Sequence, residues 1–272
     1  MFFIYNGQHT NDISEISFLN RAFRYGDGFF ESILFYNNNL PLWPYHYQRL
    51  VHSIRFLFDE KVSIPLSDEF KNLIIQLMQK HRFKNARCRI TFWRRGAGTY
   101  RAVENNYDYI IEVFPLENQP LNINEIISFG FNSEILKPMI QLSNYKTNSS
   151  LYFVLAQKYA QQNNLIEVVL LNTANRVCEG SYQNIFIYKN GIFHTPALSE
   201  GCIDGSARRF LINYFKENNY ECIEGQIEKI AVQEAEMVFF TNGIKLITLG
   251  KEDKSGVVTK IMEDLQVKLD IS

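Results

Sequence analysis

Four short stretches hold residues that structural needs alone do not explain. Lys146, in SNYKTNSSLYFVLA, stands directly before an apolar helical segment and among small hydroxyl and amide side chains. A lysine at such a junction is partly desolvated, which lowers its pKa and frees the amine for Schiff-base chemistry; the plain alternative is a solvated surface lysine. Glu179, in CEGSYQNIFIY, is a carboxylate at a turn that runs into a strongly apolar hairpin. It either caps that turn or faces the protonated ring nitrogen of an electron-accepting pyridine. In SEGCIDGSARRFL, residues 199–211, two glycines precede a helix whose first N–H groups, at Ser206 and Ala207, make a phosphate cup by backbone geometry and helix dipole. In HYQRL, His46 and Arg49 lie three apart on one helical face, where an arginine fork can grip a phosphate through two donors. Each pattern alone is ordinary. Together, an amine, an acid and two anion-binding elements are what pyridoxal phosphate requires.

The scaffold that must position them alternates strand and helix patterns. MFFIYNGQHTND predicts a first strand turning at Asn6-Gly7. SILFY (32–36) and LPLW (40–43) flank Asn37-Asn38-Asn39 and predict a hairpin. Pro44, at an N1-like position, opens a helix through HYQRLVHSIRFLF with Leu50, Ile54 and Leu57 as its stripe. A second opens at Ser67, with Asp68 and Glu69 in its first turn and Phe70, Leu73, Ile74 and Leu77 on one face. ARCRITFWR (86–94) and YDYIIEVF (107–114) predict strands around a loop bearing Gly96 and Gly98. The two prolines of PLENQPLN mark a linker, 116–122, between domains at 1–115 and 123–272. Downstream, ISFGFN is a strand, LYFVLAQKYAQQNN a helix, and LIEVVLL a strand that alternation does not resolve. NIFIY and GIFHT form a hairpin around Lys189-Asn190-Gly191, SARRFLINYFKENN an amphipathic helix, and EMVFFT and IKLITL strands around Asn242-Gly243, before a helical C-terminus. The fold class is α+β, with two domains and loops at their junction available for a site.

Composition removes several classes of function. Lys+Arg 28 against Asp+Glu 29, a net charge of -1 and 46% hydrophobic residues exclude a disordered chain and a basic nucleic-acid binder. No apolar run reaches the roughly 18 residues of a membrane span, and the N-terminus lacks a basic region ahead of its few apolar residues. Cys88, Cys178, Cys202 and Cys222 lie far apart with no CxxC pair, which predicts reduced thiols in a cytoplasmic protein. The five histidines are scattered, so no metal centre is expected, and no strand-GxGxxG-helix unit suggests a dinucleotide site. The 22 Phe and 15 Tyr build cores and line pockets for flat ligands.

In chain order, NRAFRYGDGFFES (20–32), HYQRL, YKT around Lys146, EGSYQNIF from Glu179, TPALSEGCIDGSAR and FFTNGI resemble stretches of the class IV (fold-type IV) pyridoxal phosphate enzymes. These comprise branched-chain aminotransferases, D-amino acid aminotransferases and aminodeoxychorismate lyases, and the resemblance spans nearly the whole chain. It implies a two-domain fold with the cofactor at the domain interface, a homodimer, and as substrates a small amino acid and a 2-oxo acid. It also implies roles. Lys146 would form the Schiff base with the cofactor aldehyde and then move the Cα proton; Glu179 would pair with the ring nitrogen. Arg49, the amides of Ser206 and Ala207, and the Thr241-Asn242 loop would hold the phosphate, with Asn184 beside them. Phe30, Glu31, Arg95 and Tyr100 would line the substrate pocket. Two departures stand out. Ser206-Ala207 replaces the Ile-Thr of many relatives, and Leu151 stands where branched-chain aminotransferases have a tyrosine. The loop TFWRRGAGTYRA lacks the Arg-x-His carboxylate trap of D-amino acid aminotransferases, and its RG-x-G-x-Y pattern is nearer the lyases. The resemblance therefore implies amino-group transfer or, as the alternative, release of pyruvate and 4-aminobenzoate from aminodeoxychorismate.

Overall fold

A computed structural model of the chain describes residues 2–12, 14, 16–117 and 120–271. The chain forms two compact units, Met1–Asn118 with Lys146–Ser149, and Gln119–Tyr145 with Ser150–Ser272. The residue expected to be the reactive amine thus belongs to the first unit, although the chain on both sides of its segment belongs to the second.

In the first unit, β1 (Phe3–Tyr5), β2 (Gln8–Thr10), β3 (Gly28–Phe35), β4 (Ala86–Arg94) and β5 (Tyr107–Pro115) make an antiparallel sheet in the order β2-β1-β5-β4-β3. Alternation sets its two faces. Ala86, Cys88, Ile90 and Phe92 of β4 and Tyr109, Ile111 and Val113 of β5 point into the core, while Arg87, Arg89 and Thr91 point the other way. The short helix α1 (Arg21–Tyr25) precedes β3; α2 (Trp43–Leu57) and α3 (Ser67–His81) place Leu50, Ile54, Phe70, Ile74 and Leu77 against the core face. Phe29 and Phe92 stack there with centroids 4.7 Å apart. The expected LPLW strand does not form. Tyr36 and Asn39 make one isolated bridge, and the Trp43 N–H already bonds to Leu40 O as the helix nucleates at Pro44. Ser67 Oγ accepts from the Trp43 indole, and Glu69 instead accepts the Leu66 N–H at 2.9 Å.

The second unit holds β6 (Phe129–Lys137), α4 (Leu151–Gln162), β7 (Glu167–Asn172), β8 (Val177–Gly180), β9 (Asn184–Lys189), β10 (Ile192–Pro196), α5 (Ser206–Glu217), β11 (Cys222–Gly225), α6 (Lys229–Glu234), β12 (Met237–Thr241), β13 (Thr248–Leu249) and α7 (Val257–Lys268). Its sheets run β11-β10-β9-β12-β13 and β6-β7-β8. β7 does not alternate because both its faces are covered: Val169 and Leu171 join the core with Ile185 and Phe240, while Val168 and Leu170 pack on Ala156 and Ala160 of α4. The expected IKLITL strand shrinks to two residues. Asn242 Oδ1 takes the N–H groups of Ile244 and Lys245, and Leu246 turns left-handed at φ 55°. The helices among the described residues are too short or too polar to cross a membrane.

Candidate active site

The glycines of YGDGFFES make room for the segment bearing Lys146. The Phe30 N–H donates to Lys146 O at 3.0 Å and the Asn148 N–H to Gly28 O at 2.9 Å, so residues 146–148 continue the sheet beyond the edge of β3. A Cβ on Gly28 would collide with Phe92 O and come within 2.6 Å of Asn148 Nδ2, and Gly26 (φ 65°) lies against Ser149. Asp27 accepts from Arg21 Nε at 2.6 Å and Arg94 Nε at 3.0 Å, which ties the turn down. Held in this way, the Lys146 amine sits 4.7 Å from the Phe30 ring centroid.

Glu31 corrects an expectation. It does not line an open pocket but is fully buried, accepting from Arg49 Nε and Nη2 at 2.7 Å each and bonded to His46 Nδ1 at 2.8 Å. Burial alone would raise its pKa, yet the Arg49 guanidinium and His46 bring it down to about 2. Burial, with Arg49 and Lys146 nearby, lowers the pKa of His46 and favours the neutral imidazole. Two of the five Arg49 donors expected to meet a phosphate therefore go to Glu31. Arg95 pairs with Asp108 at 2.8 Å, and Tyr100 is 92% exposed, its ring 5.6 Å from Tyr25.

In the second unit, Glu179, Asn184, Thr241 and the start of α5 come together around Asn184. Its Nδ2 donates to Ile203 O at 2.8 Å and lies 3.5 Å from Glu179 Oε2, which also accepts the Ile203 N–H at 3.0 Å. Its Oδ1 leaves no space for a Cβ on Gly205, and Thr241 is its partner across β9 and β12. Glu179 Oε1 is ion-paired with Lys137 Nζ.

These residues fit a phosphorylated pyridine. The Thr241 hydroxyl is fully buried and has no hydrogen-bond partner among the described residues, a costly state unless a ligand supplies one. Gly205, the N-cap of α5, makes no side-chain cap bond, and the first residues of the helix, Ser206 and Ala207, stand at the positive end of its dipole, where an anion is favoured. Asn242, in contrast, uses its carbonyl oxygen on its own turn.

Sequence reasoning missed three residues. Arg89 stacks on Phe30 at 3.7 Å, bonds to Thr91 Oγ1 at 3.0 Å, and has no carboxylate within ion-pair distance among the described residues; its place on the polar face of β4 was a usable signal. Lys137 and the buried Glu167 gave none, because their partners lie far along the chain.

The class IV amino-transferase family profile matches residues 28–251. A putative branched-chain-amino-acid aminotransferase of Methanocaldococcus jannaschii is 25% identical over 245 residues, covering 87% of this chain and 82% of that protein. The aminodeoxychorismate lyase of Bacillus subtilis is 24% identical, covering 97% and 92%. The branched-chain aminotransferase of Thermoproteus uzoniensis, solved with norvaline, superposes with a TM-score of 0.85 at 22% identity, covering 100% of this chain and 96% of that one; its fold is the two-domain type IV fold of pyridoxal phosphate enzymes. The chain belongs to the class IV aminotransferases, enzymes that work with pyridoxal phosphate.

Proposed function

We propose that the protein transfers an amino group between a small amino acid and a 2-oxo acid, with Lys146 as the anchor for the cofactor. The observation that carries this reading is the Lys146 amine, fixed through backbone bonds to the β3 edge and held against Phe30. When bound, the cofactor supplies an electron sink for the bond broken at the substrate Cα. Lys146 moves the Cα proton. Glu179, oriented by Asn184 and the Ile203 N–H, faces the ring nitrogen. The Thr241 hydroxyl and the amides of Ser206 and Ala207 bind phosphate, and Arg49 adds its charge while bracing Glu31. Phe30 walls the pocket. Arg89, a half-buried cation beside it, meets a substrate carboxylate.

Release of pyruvate and 4-aminobenzoate from aminodeoxychorismate is the second reading, supported by the loop Arg95-Gly96-Ala97-Gly98-Thr99-Tyr100 and by the near full-length similarity to the Bacillus subtilis lyase. Exposed apolar residues on α4, among them Leu151 and Val154, support a homodimer. Four free cysteines, three of them buried, support a cytoplasmic setting. A paired assay tests the reaction. Glutamate formed from amino acids and 2-oxoglutarate is the expected result, while pyruvate from aminodeoxychorismate without glutamate would overturn it in favour of the lyase.

A further inference from the structure

We propose that Lys137 is a positioning residue for the cofactor ring: its ammonium steadies Glu179 and, by its charge, sets how readily the bound cofactor takes up a proton. This rests on the reading that Glu179 faces the ring nitrogen. Lys137 ends β6 and is 3% exposed, a depth at which lysine is rare unless paired. Its Nζ pairs with Glu179 Oε1, lies 3.5 Å from Ser143 O, and sits 4.9 Å from the Phe153 ring of α4. The titratable groups around it are Glu179 and Cys178 on β8 and Cys202 ahead of α5, and the Glu179 charge also reaches Glu167 of β7, whose pKa it helps to raise. Burial is the largest influence and opposes its charge, but Glu179, Cys178 and Cys202 together outweigh burial and keep the ammonium form favoured.

Glu179 is thus gripped at both oxygens, Oε1 by Lys137 and Oε2 by the Ile203 N–H and Asn184. A ring N–H that meets this carboxylate shares it with a second cation. Like charges disfavour one another, so the ammonium lowers the pH at which the bound cofactor gives up its proton. Removing that charge leaves the two donors on Oε2 in place and raises the midpoint.

The test follows the visible absorbance of the cofactor-loaded protein against pH. K137Q is expected to raise the midpoint by about one pH unit or more, and K137R, which keeps the charge, to restore the wild-type value. A K137Q midpoint at or below wild type, or an equal rise in K137R, overturns the proposal. Should K137Q fail to fold, wild-type protein labelled with 15N-lysine provides the second measurement. One slowly exchanging ammonium resonance, missing from K137R and moved by cofactor binding, is expected; its absence, or no movement, overturns the proposal. If wild-type protein takes up no cofactor, the reading of Glu179 itself fails. If it takes up cofactor but the midpoint ignores Lys137, only the present inference fails.

Discussion

Glu167 and Glu31 are both buried carboxyls, yet their surroundings push them in opposite directions. Glu167 accepts at Oε1 from the Ser181 side chain and from the N–H groups of Ser181 and Val168, while its Oε2 has no partner among the described residues. Burial, helped by the charge of Glu179, raises its pKa to about 7 against those donors. The folded state therefore binds a proton that the unfolded state releases near pH 4.5, so stability falls as pH rises between the two values and is level above them. Glu167→Gln removes that slope. Urea titrations should show wild type losing on the order of 2–3 kcal/mol relative to the variant between pH 4.5 and 7.5, and equal slopes for both proteins would contradict this. For Glu31 the sign reverses: its contribution is present above about pH 4.5 and is lost as pH falls toward 2. Arg89 supports a prediction about substrate. Arg89→Gln should raise KM for 2-oxoglutarate about 10- to 100-fold, the loss of one charged hydrogen-bonding partner, and change kcat less; an unchanged KM would remove it from the substrate site.

The element that matters most is the junction of β3 with residues 146–149. Gly28→Ala puts a methyl group into Phe92 O and the Asn148 side chain, and should cost about 1–3 kcal/mol of stability. It should also weaken cofactor binding at least about tenfold, because the strip that holds Lys146 can no longer lie on β3. Thermal unfolding and cofactor titration measure both, and wild-type affinity would contradict the strip's role. At this scale much of the fold was legible. β4 and β5 alternate because one face packs on helices and the other does not, and α2 and α3 carry 3-4 stripes. LPLW was misread because its apolar residues are buried without strand pairing, next to a proline that starts a helix. β8 and β11, four residues each, are too short for a period to emerge. In the site, Lys146, Glu179 and the start of α5 stood in recognisable stretches, whereas the partnership of Lys137 with Glu179 spans 42 positions and is created only by the pairing of β6, β7 and β8.

For the whole molecule, a net charge of -1 leaves no field to draw a polyanion, and the exposed apolar residues become the conspicuous surface. Leu151, Val154 and Leu155 on α4 are 69%, 59% and 47% exposed, which suits burial against a second copy. Light scattering should give twice the 31.9 kDa chain mass, and Val154→Lys should shift the protein toward the monomer; a wild-type monomer at micromolar concentration would contradict the homodimer. The central claim is the identity of the reactive amine. Protein loaded with pyridoxal phosphate, reduced with borohydride and mapped by peptide mass spectrometry should bear the pyridoxyl group on Lys146; a label on Lys137 or any other lysine, or no label at all, would contradict it.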